Sequence, residues 1–177
     1  MLAMPEGHAT SRAARGQTGG VLLRGREGNE LELRLMGYQF PGEERDPWDS
    51  NWLLVSVRVL APEGSWEVVD PCLTTWEAKR LVSYLIHAAA HDPAAVPMTF
   101  TEPNLTVTAR SRTPAPLRVH LRACFALELR PPWVRTVAGS NNLCVDLDVE
   151  RGDVARAAAS LLADLVAYPQ RGDDPTL

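Results

Sequence analysis

Residues 117–129, LRVHLRACFALEL, alternate without a break. Leu117, Val119, Leu121, Ala123, Phe125, Leu127 and Leu129 fall on one side, with Arg118, His120, Arg122 and Glu128 on the other. A period of two over thirteen residues fits an extended strand with one buried face. Such a strand needs an apolar layer against one face. Pro131-Pro132 should end it. The same period recurs at Leu31, Leu33 and Leu35, at Leu53, Val55, Val57 and Val59, and at Leu143, Val145, Leu147 and Val149. Pro62-Glu63-Gly64 is a turn signal, and Trp66, Val68 and Val69 continue beyond it as the second arm of a hairpin. Phe100 and then Leu105, Val107 and Ala109 suggest two short strands around Glu102-Pro103-Asn104.

Twice the period changes to that of a helix. Thr74-Thr75-Trp76-Glu77 has the form of a capping box, and Ala78, Leu81, Val82, Leu85, Ile86 and Ala89 follow at helical spacing until Asp92-Pro93. Val154, Ala158, Leu161, Leu162, Leu165 and Val166 form a second apolar stripe. The order is strands, helix, strands, helix. Short connections favour antiparallel pairing. The expected fold is α+β: one antiparallel sheet of six to seven strands, with one face covered by two amphipathic helices.

The chain has 177 residues, 45% of them apolar, which suits a single domain. Residues 1–19 read as a disordered arm, 20–168 as one α+β domain, and 169–177 as a disordered tail. A net charge of −4 argues against a general nucleic-acid binder. No apolar run reaches the roughly 18 residues that span a membrane. The first residues also lack the apolar core of a signal peptide. The three cysteines, Cys72, Cys124 and Cys144, include no C-x-x-C, and an odd count argues against a disulfide framework. They are expected as reduced, mostly buried thiols in a cytoplasmic protein.

Four constellations carry chemical interest. Glu43, Glu44, Asp46 and Asp49 crowd seven residues of a loop that also holds Trp48. Calcium-loop spacing is absent there, so the expectation is a solvated acidic surface able to steer a basic partner. Asp49 is placed to cap its own turn, and Trp52, which opens a strand, to pin the loop to the core. His87 and His91 lie four apart at a helix end, with only alanines between them. That placement suits the helix dipole better than zinc. Arg118, His120 and Arg122 form a basic stripe, and Asp146 and Asp148 an acidic one; if their strands are neighbours, they should pair. No nucleophile motif or phosphate loop occurs, and no metal or cofactor is expected.

The stretch Gly37-Tyr38-Gln39-Phe40-Pro41, an acidic loop, then Asp49-Ser50-Asn51-Trp52-Leu53 and an alternating strand resembles the WapI family of bacterial immunity proteins. Phe100-Thr101-Glu102-Pro103-Asn104-Leu105 is similar to a second segment of that family, as is the closing strand and helix. The resemblance covers about Val21 to Tyr168; the N-terminal arm and the connection from Pro131 to Asn142 depart from it. It implies a non-enzymatic protein that binds a cognate toxin domain; with the charge, hydropathy and cysteine readings above, the expectation is a cytoplasmic monomer or homodimer that binds neither nucleic acid nor membrane. Glu43, Glu44, Asp46, Trp48 and Asp49 are the expected partner-binding residues. The alternative is a small-ligand module or an enzyme built on Arg118, His120 and Arg122, which would show as a pocket where those side chains converge.

Overall fold

In a computed structural model the described residues are 19–91, 94–111, 117–134 and 142–177. Strands β1 (Val21–Arg24), β2 (Glu30–Tyr38), β3 (Trp52–Ala61) and β4 (Gly64–Thr74) precede helix α1 (Thr75–Ala90). Strands β5 (Ala94–Thr99), β6 (Leu105–Ser111), β7 (Arg118–Phe125) and β8 (Leu143–Glu150) precede helix α2 (Arg151–Asp164). The α+β class and the alternating order are as the periodicities predict. The single sheet of six to seven strands is not: there are eight strands among the described residues, and β1 and β5 are too short to show a period of their own. The strands form two four-stranded antiparallel meanders, β1-β2-β3-β4 and β5-β6-β7-β8, each followed by its helix. Period-two patterning states which face a strand buries and is silent on where one sheet ends and the next begins.

Both sheets and both helices nevertheless bury their apolar faces in one cluster. Leu33, Val55, Val57 and Val59 come from the first sheet, Leu121, Phe125, Leu147 and Val149 from the second, and Leu81, Leu85, Val154 and Leu161 from the helices. The sheets meet at two seams. At one, the Arg26 amide donates to the Asp148 carbonyl at 2.9 Å, and the Asn29 side chain donates to the Asp146 carbonyl at 2.8 Å. At the other, Trp66 of β4 packs edge-on against Phe125 of β7, and its indole donates to the Leu129 carbonyl at 3.1 Å.

The capping box forms as expected. The Glu77 amide donates to Thr74 Oγ1 at 3.3 Å, and the Thr74 amide to Glu77 Oε2 at 2.9 Å. At the other end of α1, the Arg151 guanidinium donates to the carbonyls of Ala88, Ala89 and His91, so the start of α2 caps the end of α1. Three stripe positions are corrected: Ile86, Leu162 and Val166 are 50%, 52% and 81% exposed. Val166 lies past the end of α2, where helical periodicity no longer applies. Asp92-Pro93 fall outside the described residues.

The long alternating run also ends early. Leu117 is 78% exposed ahead of β7. β7 stops at Phe125, and Leu127–Leu129 is a 3-10 turn with Leu127 at φ 47°. The Ala126 amide donates to the Asn104 carbonyl at 2.8 Å, which draws the chain out of the strand before the prolines. The cysteines differ from expectation as well. Cys124 and Cys144, direct partners across β7 and β8, form a disulfide on the outer face of the second sheet. Register between distant strands, invisible in sequence spacing, brings them together. Cys72 is free and buried, and its thiol is pushed up to about 12 by burial and then by the charge of Asp70.

Candidate functional site

The acidic loop between β2 and β3 is built by its own carboxylates. Glu43 Oε1 accepts from the amides of Glu44, Arg45 and Asp46 at 3.0, 2.7 and 3.2 Å. Those backbone donors hold the Glu43 carboxyl below its usual pKa. Asp46 Oδ1 accepts from the amides of Trp48 and Asp49 at 2.8 and 2.9 Å. The turn is therefore capped by Asp46, not by Asp49 as the sequence suggested. Of the five expected binding residues, Glu43 and Asp46 spend an oxygen on local geometry, while Glu44 and Asp49 project from the exposed tip. Trp48 is half-buried, edge-on to Trp76 of α1 with centroids 5.3 Å apart. Trp52 is half-buried at the head of β3, opposite Thr74.

Beneath the loop lies Asn51, fully buried and with its amide nitrogen and oxygen both engaged. Its Nδ2 donates to the carbonyls of Pro47 and Arg171 at 2.8 and 2.7 Å. Its Oδ1 accepts from Thr75 Oγ1 at 2.6 Å and from the Arg171 amide at 2.9 Å. One side chain thus joins the loop, the first turn of α1 and the C-terminal segment. Arg171 completes the clamp: its guanidinium donates to the carbonyls of Pro41 and Glu43 and sits 3.7 Å from the centre of the Tyr38 ring. The tail, expected to be disordered, lies against the body here. Gln170 accepts from Lys79, and Asp174 pairs with Arg80 at 2.6 Å. Composition suggested disorder because the tail is polar; its partners are backbone carbonyls and basic residues that only the fold supplies.

Next to the loop, α1 is tied to the β5–β6 turn. Glu77 is 4% exposed, and its Oε1 accepts from the Thr101 amide at 2.6 Å while its Oε2 serves the capping box. Asn104, 1% exposed, donates from Nδ2 to Asp70 Oδ2 at 3.0 Å. Burial, then the charges of Glu128 and Glu102, raise the Asp70 carboxyl above its usual pKa, and the Asn104 bond partly offsets them. An acidic seam thus runs beside the start of α1. Sequence reasoning missed it, because Asp70, Glu102 and Glu128 are far apart along the chain. It also missed Arg171; a lone arginine in a polar tail carries no signal until Tyr38 and the loop carbonyls surround it.

On the outer face of the second sheet, the basic and acidic stripes pair. Arg118 reaches Asp148 at 3.0 Å, His120 meets Asp146 at 2.8 Å, and Arg122 stands 3.9 Å from Asp146. Those side chains pair as a cross-strand charge ladder, the arrangement expected if the two strands are neighbours. His87 and His91 have ring centroids 4.8 Å apart, and among the described residues no cluster of three or more metal-ligating side chains forms. Nor is any helix among them long and apolar enough to cross a membrane.

The loop, the Asn51 hub and the Phe100–Leu105 turn all lie within one stretch recognised by a family profile. The Immunity protein WapI-like family matches residues 22–169. The chain belongs to that family. No curated protein and no solved structure matches it. The segments on which the WapI resemblance rests prove to be architectural. Tyr38 holds Arg171, Ser50 and Asn51 are buried under the loop, and Phe100 and Asn104 fix the turn that receives Glu77.

Proposed function

We propose that this WapI-family chain acts in the cytoplasm as an antidote, binding a toxin domain and blocking it without turnover. The observation that carries the reading is the loop tip. Glu44 and Asp49 are exposed on a turn that Glu43, Asp46 and Asn51 hold in one conformation. A preorganised acidic projection loses little entropy on docking and attracts a basic protein surface before contact. A net charge of −4 adds to that attraction. Trp48, half-buried on Trp76, supplies an aromatic flank to the same surface.

The test is survival on co-expression with any toxin domain encoded beside the chain's gene. Wild-type protein should restore growth, and Glu44→Lys combined with Asp49→Lys should lose most of the protection while melting at the wild-type temperature. Equal death with and without the wild-type chain would overturn the antidote role. Undiminished rescue by the charge-reversed variant would remove the loop from the interface.

A further inference from the structure

The acidic seam ends on two exposed apolar side chains. Leu127 and Trp133 are 44% and 43% exposed. Leu127 sits at φ 47°, a left-handed region that non-glycine side chains rarely adopt. Trp133 stands edge-on to Trp66 with centroids 5.8 Å apart, over Gly64, where a Cβ would come within 2.9 Å of the indole. Both belong to the connection that leaves β7 and returns to β8, and the Cys124–Cys144 disulfide closes its base. The 3-10 turn carrying Leu127 and Glu128 packs against β4. Trp66 and Asp70 share one face of β4 four residues apart, about 13 Å at strand rise.

Glu102 and Glu128 both lie close enough to act on Asp70, which accepts from Asn104 Nδ2 at 3.0 Å, and Asn104 Oδ1 has no donor among the described residues although the residue is 1% exposed. Arg130, on the same turn, reaches back to the Leu127 carbonyl at 3.0 Å. The seam is also connected to the acidic loop: Trp48 touches Trp76, the next residue, Glu77, holds Thr101, and Glu102 follows.

We infer that the seam continues the docking surface: a basic protein partner sets an arginine or lysine among Asp70, Glu102 and Glu128 and an apolar side chain against Leu127 and Trp133. The partner's identity as a toxin rests on the reading above; its chemistry rests on the seam. An aromatic anchor rimmed by like charges is the arrangement in which a few residues dominate binding energy. A guanidinium placed there replaces carboxylate repulsion with charge-assisted hydrogen bonds.

The probe is an acetylated, amidated hexapeptide of alternating arginine and leucine, titrated into the full chain and followed by amide and indole chemical shifts. Saturable shifts at Glu102, Glu128 and the Trp133 indole are expected, with affinity falling as salt rises. The same peptide with serine for leucine should bind more weakly. Glu128→Lys combined with Trp133→Ala should weaken binding roughly tenfold. If that variant misfolds, the shift map of the wild-type chain decides alone. Shifts confined to residues 43–49, or none that saturate, would overturn the seam. So would full protection from the toxin by a folded Glu128→Lys, Trp133→Ala chain, which would leave the antidote reading intact. A wild-type chain that protects against nothing yet maps the peptide to the seam would sink that reading and leave the surface standing.

Discussion

At the residue scale, the loop depends on one buried amide. Asn51→Ala would strand the Thr75 hydroxyl, the Arg171 amide and two backbone carbonyls, each formerly bonded to the side chain. We expect a loss of roughly 2–4 kcal/mol in chemical denaturation, because orphaned buried groups lose more than a hydrogen bond's net worth. Asp70 should act in the opposite sense. Its pKa in the folded chain is raised, so the native state binds a proton more tightly than the unfolded chain does. Stability from this group is therefore greatest below the ordinary aspartate pKa and declines as pH rises from there through the raised folded value. Asp70→Asn keeps an acceptor for Asn104 and removes the charge. It should raise the melting temperature at pH 7 and change it little near pH 3; equal shifts at both would contradict the assignment.

At the scale of elements, two contacts join pieces that sequence distance keeps apart. Glu77 links the start of α1 to the β5–β6 turn through both carboxylate oxygens. Glu77→Gln keeps the shape but turns one acceptor into a donor, so either Thr74 or Thr101 loses its partner. A loss of about 1–3 kcal/mol should follow, measured by denaturant titration. The C-terminal segment is the second link. Removing residues 170–177 deletes the Arg171 clamp and the Asp174–Arg80 pair. Amides of residues 43–51 should then exchange faster with deuterium while those of β7 do not. Unchanged exchange in the loop would show that the tail does not hold it.

At the scale of the molecule, the two halves repeat four strands and a helix, yet neither half closes its own core. Helix α2 lies against α1 and the first-sheet strand β1, Arg151 caps α1, and Trp66 seals β4 onto β7. Thermal unfolding should therefore be a single cooperative transition with coincident fluorescence and far-UV signals; two separated transitions would mean two bodies. The disulfide spans 20 residues of sequence, and chain-entropy bookkeeping gives it about 3 kcal/mol. Native thiol labelling should find none reactive without reductant and two with it, because Cys72 stays buried. Reductive cytoplasm would keep that pair as thiols. Reductant should therefore lower the melting temperature, and an unchanged one would show that the disulfide does not constrain the fold.

The periodicities alone settled the α+β class, the apolar side of the longer strands, the place of the two helices, and the capping box at Thr74. These are local matters, decided by spacing within one turn or one strand. The resemblance of two short segments was enough to name the family. Tertiary structure decided what local spacing leaves open: the division into two sheets, the pairing of Cys124 with Cys144, the docking of Arg171 on Tyr38, and the gathering of Asp70, Glu102 and Glu128. Each depends on residues brought together across 20 or more positions of chain. Registers and seams between elements do that, and no single strand or helix encodes them.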